Sequence, residues 1–365
     1  MVSMVERTLA YALAEHRGAE VIWEDSIDLG IEPTLYMHRE FLALEGNTNW
    51  KMHWRQHIAE TMVLRQDMHA IYDLLSEHVG RVLILKGEPM AVQLYDNSYA
   101  RRSGDVDVLC APEDVERIWH VLTERGYRGL YDEKPRPWLY NQWAVAQGQG
   151  QRVIEVHWKL SAPEIGEPSF DDLYNRSETL DVGGRDVRVL CPGDQLLQVC
   201  YHFHHHMGFF KGLIDVAAWW DRFGDRPEVL REVFERASEH GVLRIVHWPL
   251  DVLDRISGGE IWRGDRPVNL ASLYGAWTTR CVSGVLGEGV DVKSLDFKTF
   301  GVSQEEVLAW RLLGLMLVDG GWSKAATVVF RSPEMMRMER GGERVQMEDW
   351  RRWGQRILSG GERRK

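Results

Sequence analysis

Three short apolar strands, each carrying a polar residue at a fixed place, and long runs of helical periodicity on either side predict an α+β fold. The expected architecture is a small mixed β-sheet core flanked by an N-terminal helical region and a mostly α-helical C-terminal domain. The first strand is RVLILKGEP at 81–89, apolar until it ends in Lys-Gly and passes into a helical pattern over 90–95. The second is RRSGDVDVL at 101–109 and the third RVIEVHWK at 152–159. Side chains alternate faces along a strand, so Asp105 and Asp107 share one face while Val106 and Val108 enter the packed layer behind it. The same alternation puts Val153, Glu155 and His157 on one face and Ile154, Val156 and Trp158 on the other.

Before the sheet, 8–16 reads as a short amphipathic helix stopped by Gly18, 26–33 as a loop, and 35–44 as a helix. A longer helix follows over 50–78, where Ile58, Met62, Leu64, Met68, Ile71 and Leu75 recur at helical spacing and Gly80 ends the run. Between the second and third strands, 112–125 has an early proline, three acids in its first turn and Gly126 past its end, all helix signals. The stretch 132–143, with Pro135, Pro137 and several aromatics, reads as a loop or hairpin. After a short helix from 170, Gly183-Gly184 between alternating residues predicts a hairpin, and Pro192-Gly193-Asp194 starts a helix running to 206. Further helices are expected at 213–223, 227–239, 242–256, 275–283 and 303–318. The resulting division is a helical region at 1–80, a sheet core at 81–190, a helical domain at 191–336 and a charged tail at 337–365.

The chain has 365 residues, 44% hydrophobic and 27% charged, which suits an ordinary globular protein with a substantial core and excludes a disordered class. Its net charge of −11 argues against general nucleic-acid binding, which draws its affinity from Lys and Arg on phosphates. Cys110, Cys191, Cys200 and Cys281 are scattered without metal-type spacing and predict reduced thiols in the cytoplasm. The first twenty residues place Glu6 and Glu15 inside the apolar pattern, unlike a signal peptide, and no apolar run of 18 residues predicts a membrane span.

Two carboxylates on one strand face repel unless a cation lies between them, and magnesium binds through one or two carboxylates while keeping positions for water and phosphate. A solvated acid pair at a strand end is the plain alternative. The context favours the cation: Glu155 on the neighbouring strand offers a third carboxylate to the same cradle. Lys86 and Gly87 stand where the chain leaves the first strand, a place where glycine lets backbone approach a phosphate; Lys86 reads equally as an ordinary strand-end lysine. Arg101 and Arg102 precede the acids and either bind phosphate or pair with acids structurally. In YHFHHH at 201–206, His202 and His206 lie four apart on a helix, spacing that suits a metal, with packing histidines as the alternative. Without a glutamate in the HExxH position a zinc protease is disfavoured.

The order of strand with Lys-Gly, helix, strand with Asp-x-Asp, helix, strand with Glu resembles the nucleotidyltransferase superfamily of polymerase-β type. More narrowly, LKGEPMA, Arg102 with GDVDVL, Gly126-Tyr127, IEVHWKL, HFHHH and Leu213-Ile214-Asp215 are similar to a bacterial family of uncharacterised nucleotidyltransferases, over about 49–223. Lys-Gly stands where typical members of the wider superfamily have Gly-Ser. The resemblance implies a nucleotidyltransferase catalytic core in the sheet region. It implies transfer of a nucleoside monophosphate from a nucleoside triphosphate, ATP by default, to a hydroxyl or similar acceptor on a small molecule or peptide. It also implies Mg²⁺, as two ions with Mn²⁺ as a substitute, on Asp105, Asp107 and Glu155. The nucleotide would meet Lys86, Gly87, Arg102 and His202, with Asp215 near a histidine or the substrate. The competing classes are an inert relative that binds a nucleotide or partner, against which the three intact acids argue, and a metal hydrolase centred on the histidines, which leaves those acids unexplained.

Overall fold

The computed structural model describes residues 2–13, 19–44, 48–131, 133–137, 141–148, 152–162, 165–206, 210–263, 275, 276, 279, 317 and 318. They form helices α1 (Met4–Ala12), α2 (Ala19–Leu29), α3 (Glu32–Met37) and α4 (Thr48–Val79), then strand β1 (Val82–Ile84), α5 (Gly87–Tyr95) and β2 (Asp105–Cys110). A single 3₁₀ turn at Pro112–Asp114 leads into α6 (Val115–Glu124), followed by β3 (Arg128–Gly129), β4 (Gln142–Ala146) and β5 (Val153–His157). The remainder is α7 (Phe170–Arg176), the hairpin β6 (Glu178–Asp181) and β7 (Asp186–Val189), and helices α8 (Pro192–His205), α9 (Phe210–Phe223), α10 (Pro227–Glu239) and α11 (Leu243–Ser257). The expected helices at 275–283 and 303–318 and the tail at 337–365 lie outside the described residues, apart from the few positions named above.

The strands make one mixed seven-stranded sheet in the order β3-β4-β5-β2-β1-β7-β6. β2 and β5 are parallel, with Asp107 opposite Glu155 and Leu109 opposite His157. β1 runs antiparallel to β2 and parallel to β7. One face of the sheet is covered: Val106, Val108, Cys110, Ile154, Val156 and Trp158 share a core with Leu64, Met68, Ile71 and Leu75 of α4 and Val115, Ile118 and Leu122 of α6. On the other face, Leu83, Leu109 and Leu190 pack against Phe170 and Leu173 of α7. None of Asp105, Asp107 and Glu155 belongs to that apolar cover, and α9 reaches the loop before Asp105 through the pair of Asp215 with Arg101.

A separate core joins α1 to α8, α9 and α11: Leu9 packs with Leu197, Leu213, Trp219 and Trp248. The Asp221 carboxylate, near the end of α9, accepts the main-chain N–H groups of Met4 and Val5, so the start of α1 is capped from the helical half. The region before the sheet therefore serves two cores, α4 backing the sheet and α1 joining the helices.

Three local expectations differ. Residues 19–29 are helical where a loop was expected from 26, because Ile22, Trp23 and Ser26 turn inward together at helical spacing. α3 ends at Met37, and 38–43 are turns rather than helix, with Ala43 in the left-handed region. The aromatic stretch before 143 leads into a full strand, β4, paired antiparallel with β5.

The loop after β5 holds a buried acid. Glu167 accepts the Ser161 N–H at 2.8 Å and lies 4.0 Å from the Lys159 ammonium, yet burial pushes its carboxyl up to about 8. A raised carboxyl binds its proton more tightly folded than unfolded. Stability is therefore expected to fall as pH rises from about 4.3, where an unfolded glutamate titrates, toward the folded value. Glu167→Gln should flatten that slope and raise Tm at pH 8, by about 2 to 4 °C for each kcal/mol recovered. Parallel Tm-versus-pH curves for parent and variant would contradict this assignment.

Candidate active site

The parallel register of β2 and β5 sets the site. Asp107 and Glu155 are paired positions on one face, with Asp105 and His157 two residues away along their strands on that face. Asp107 is 2% exposed and so lies in the interior, not on the solvated edge that a bare strand-end acid pair implies. Its Oδ1 accepts from Lys86 Nζ at 2.6 Å and from His157 Nε2 at 3.0 Å. Burial pushes its carboxyl up, but the Lys86 ammonium and the His157 ring outweigh burial and hold it below the usual carboxylate range. Asp105 is half-buried and is pushed up by burial and by the charges of Asp107 and Glu155; Ser103 Oγ donates to it at 3.3 Å. His157 Nε2 also lies 3.5 Å from Glu155 Oε2. Burial lowers the imidazole's pKa, and its bonds to Asp107 and Glu155 more than restore it.

Lys86 caps α5 in extended backbone, and Gly87 follows at φ +69°, a left-handed conformation that side chains other than glycine's resist. A Cβ there would lie 3.5 Å from Ser103 Oγ, so the β1–α5 turn passes close beside the loop that leads into Asp105. The two arginines of that loop separate. Arg101 is buried and forms a fork on Asp215 of α9, Nε to Oδ1 at 2.8 Å and Nη2 to Oδ2 at 3.0 Å, and Tyr95 donates to the same Oδ1 at 2.9 Å. Arg102 is paired with Glu32 of α3. Asp215 thus meets an arginine and a tyrosine, tying α9 and α5 to the strand that carries the acids.

His202 of α8 is half-buried, its ring 4.6 Å from that of His206. Burial and the Lys86 ammonium hold its imidazole well below the ordinary range. His204 packs edge-on to Trp248, 6.4 Å between centroids, and His205 is exposed. The structure therefore brings Lys86, Asp105, Asp107 and Glu155 together, with Gly87 shaping the turn, and the Lys86 charge also acts on His202. Arg102 pairs with Glu32 while its side chain stays 41% exposed.

Two residues near the acids had no role in the sequence reading. His157 was placed on the face of Glu155, and the alternation Glu-x-His beside Asp-x-Asp was signal enough to include it. Lys211 of α9 donates to the Arg102 carbonyl at 2.8 Å, a proximity that no local pattern reveals.

The donors suit a divalent cation. Asp107 Oδ2 is buried without a hydrogen-bond partner among the described residues, and Asp105 carries a charge that its neighbours repel. Among the described residues, donor atoms of Asp107, Glu155 and His157 all lie within 4.8 Å of one another, and the histidine run of α8 contributes none to that grouping. Carboxylate oxygens fit Mg²⁺ or Mn²⁺, and an imidazole beside them extends the range toward transition metals.

No helix among the described residues is long and apolar enough to cross a membrane. No curated protein matches the chain. A family profile described as uncharacterised nucleotidyltransferase matches residues 18–256, a span that takes in the whole sheet and helices α8 to α10. With most of its length matched, and three carboxylates converging on a sheet face beside a lysine, the chain belongs to this family of uncharacterised nucleotidyltransferases and is a nucleotidyl-transferring enzyme.

Proposed function

We propose that the enzyme transfers a nucleoside monophosphate from a nucleoside triphosphate to a hydroxyl or similar acceptor on a small molecule or peptide, releasing pyrophosphate. The observation that carries this reading is the register that sets Asp107 opposite Glu155 with Asp105 on the same face, all bordered by Lys86. Asp105, Asp107 and Glu155 are the residues proposed to hold Mg²⁺, as two ions. Bound there, magnesium supplies charge neutralisation on the phosphates and a more acidic attacking hydroxyl.

The acceptor oxygen attacks the α-phosphorus, the bond from that phosphorus to the bridging oxygen of the β-phosphate breaks, and pyrophosphate leaves with the electron pair. Glu155 is proposed to hold the ion nearest the acceptor or to take the acceptor's proton, a reading supported by its side chain being 21% exposed against 1% for Asp107. Lys86 neutralises Asp107 in the free enzyme and turns part of its charge toward the triphosphate. Gly87 lets the main chain approach the phosphates, and neutral His202 borders them from α8. The unit 81–190 is proposed as the catalytic domain, with the helices after 191 forming the far wall of the cleft. Cys110, Cys191 and Cys200 are free thiols, which supports a cytoplasmic setting.

Pyrophosphate release with Mg²⁺ and each of the four ribonucleoside triphosphates, across a panel of hydroxyl-bearing small molecules and peptides, tests the reading. Acceptor-dependent release is expected, lost on chelation. Glu155→Gln should lower kcat by about 10²- to 10⁴-fold, the range for loss of a general base, with little change in triphosphate affinity. Equal losses of affinity and rate would move Glu155 into the nucleotide site.

A further inference from the structure

Four cations lie at or beside the loop that leads into Asp105, and three already have carboxylate partners. Lys86 is held by Asp107 at 2.6 Å, Arg101 by both oxygens of Asp215, and Arg102 by Glu32. Each therefore shares its charge between its carboxylate, at most 7% exposed at its side chain, and any phosphate it meets, because leaving a buried charge unpaired is costly. Lys211 differs. Among the described residues it makes no ion pair, and its hydrogen bond goes to a neutral group, the main-chain carbonyl of Arg102 at 2.8 Å. An ammonium has three donors, so it can keep that bond and still grip an anion. Its flank is lined by Gly30, where even an added Cβ would lie 3.7 Å from Nζ. Arg102 belongs to the loop that leads into Asp105, so the bond to its carbonyl sets the ammonium beside the approach to the acid cluster, where the Asp105 charge acts on it.

We propose that Lys211 binds the β- and γ-phosphates of the incoming nucleoside triphosphate and holds the departing pyrophosphate from the α9 side of the cleft. This rests on the nucleotidyl-transfer reading above and adds the residue that recognises the leaving group. Burial and the Arg101 guanidinium bring its pKa down to about 8, and a cation so placed gains from an arriving polyanion.

The test is calorimetric titration of the full chain with Mg²⁺ and each of ATP, GTP, CTP and UTP, then with the monophosphate of whichever base binds. Lys211→Gln keeps a donor for the Arg102 carbonyl and removes the charge; Lys211→Arg keeps the charge. The Gln variant should bind the triphosphate about 10- to 100-fold more weakly, the range for a lost charge-assisted hydrogen bond, and the monophosphate within about 3-fold of the parent. The deficit should shrink with added salt, and the Arg variant should recover most of the affinity. Unchanged triphosphate binding by the Gln variant, or equal losses for triphosphate and monophosphate, would overturn the assignment while leaving nucleotidyl transfer standing. Failure of the parent to bind any triphosphate would overturn the nucleotide reading and this assignment together.

Discussion

Asp105→Asn and Asp107→Asn should both cut turnover by at least about 10²- to 10³-fold, the cost of losing one preorganised electrostatic group, yet move stability in opposite directions. Asp107 is the anion on which the Lys86 ammonium and the His157 ring converge. Its replacement leaves a largely buried lysine facing a neutral amide, and breaking a buried pair costs about 3 to 5 kcal/mol. Asp105 has the reverse balance. Burial and two neighbouring carboxylates disfavour its charge, so an isosteric neutral amide relieves repulsion and should leave Tm unchanged or higher in metal-free buffer. Added Mg²⁺ should stabilise the parent and give less to either variant, because a ligand that binds only the folded state raises its stability. A parental turnover number for Asp107→Asn would remove that residue from the site. A metal-free Tm for Asp105→Asn several degrees below the parent would show that the acids are not in mutual repulsion.

Asp215→Ala is expected to destabilise the protein by about 3 to 5 kcal/mol, through the loss of a buried ion pair. The carboxylate satisfies two N–H groups of a guanidinium only 4% exposed and the hydroxyl of Tyr95 besides. Tyr95→Phe deletes one of these bonds and should cost about 1 kcal/mol. The double replacement Arg101→Met with Asp215→Leu should recover much of the loss, because a buried ion pair often exchanges with packed apolar groups at little net cost. Chemical denaturation of the three variants beside the parent measures the series. If Asp215→Ala unfolds at the parental midpoint, the Arg101 fork does not hold α9 against the catalytic strand.

What the sequence disclosed follows the range of the forces involved. Alternation along 105–109 and 153–157 placed the acids on one face and Val106, Val108 and Val156 on the other, because a strand's faces are set by its own backbone. The helix at Pro227–Glu239 was legible to the residue, with proline opening it and Gly241 following close on its end. β4 escaped because QWAVA is apolar on both faces and follows two prolines, so neither alternation nor a clean turn signal marks it. The burial of Asp107 was also hidden. It depends on Lys86, 21 residues earlier, and His157, 50 residues later, arriving at one oxygen. The fates of Arg101 and Arg102 turn on partners 114 and 70 residues away, and the sequence marks neither Asp215 nor Glu32 as a partner to its arginine. Local pattern named the acids, and tertiary pairing decided which carboxylate Lys86, Arg101 and Arg102 each meet.

The central claim is that Asp105, Asp107 and Glu155 cradle the divalent ions of nucleotidyl transfer. Crystals grown with Mn²⁺ and a non-hydrolysable triphosphate, measured at the manganese absorption edge, test it most directly. Anomalous peaks within about 2.3 Å of carboxylate oxygens from these three residues, with the α-phosphate on the same ions, are the predicted result. Manganese bound instead between His202 and His206, with no density at Asp105 and Asp107, would contradict the account.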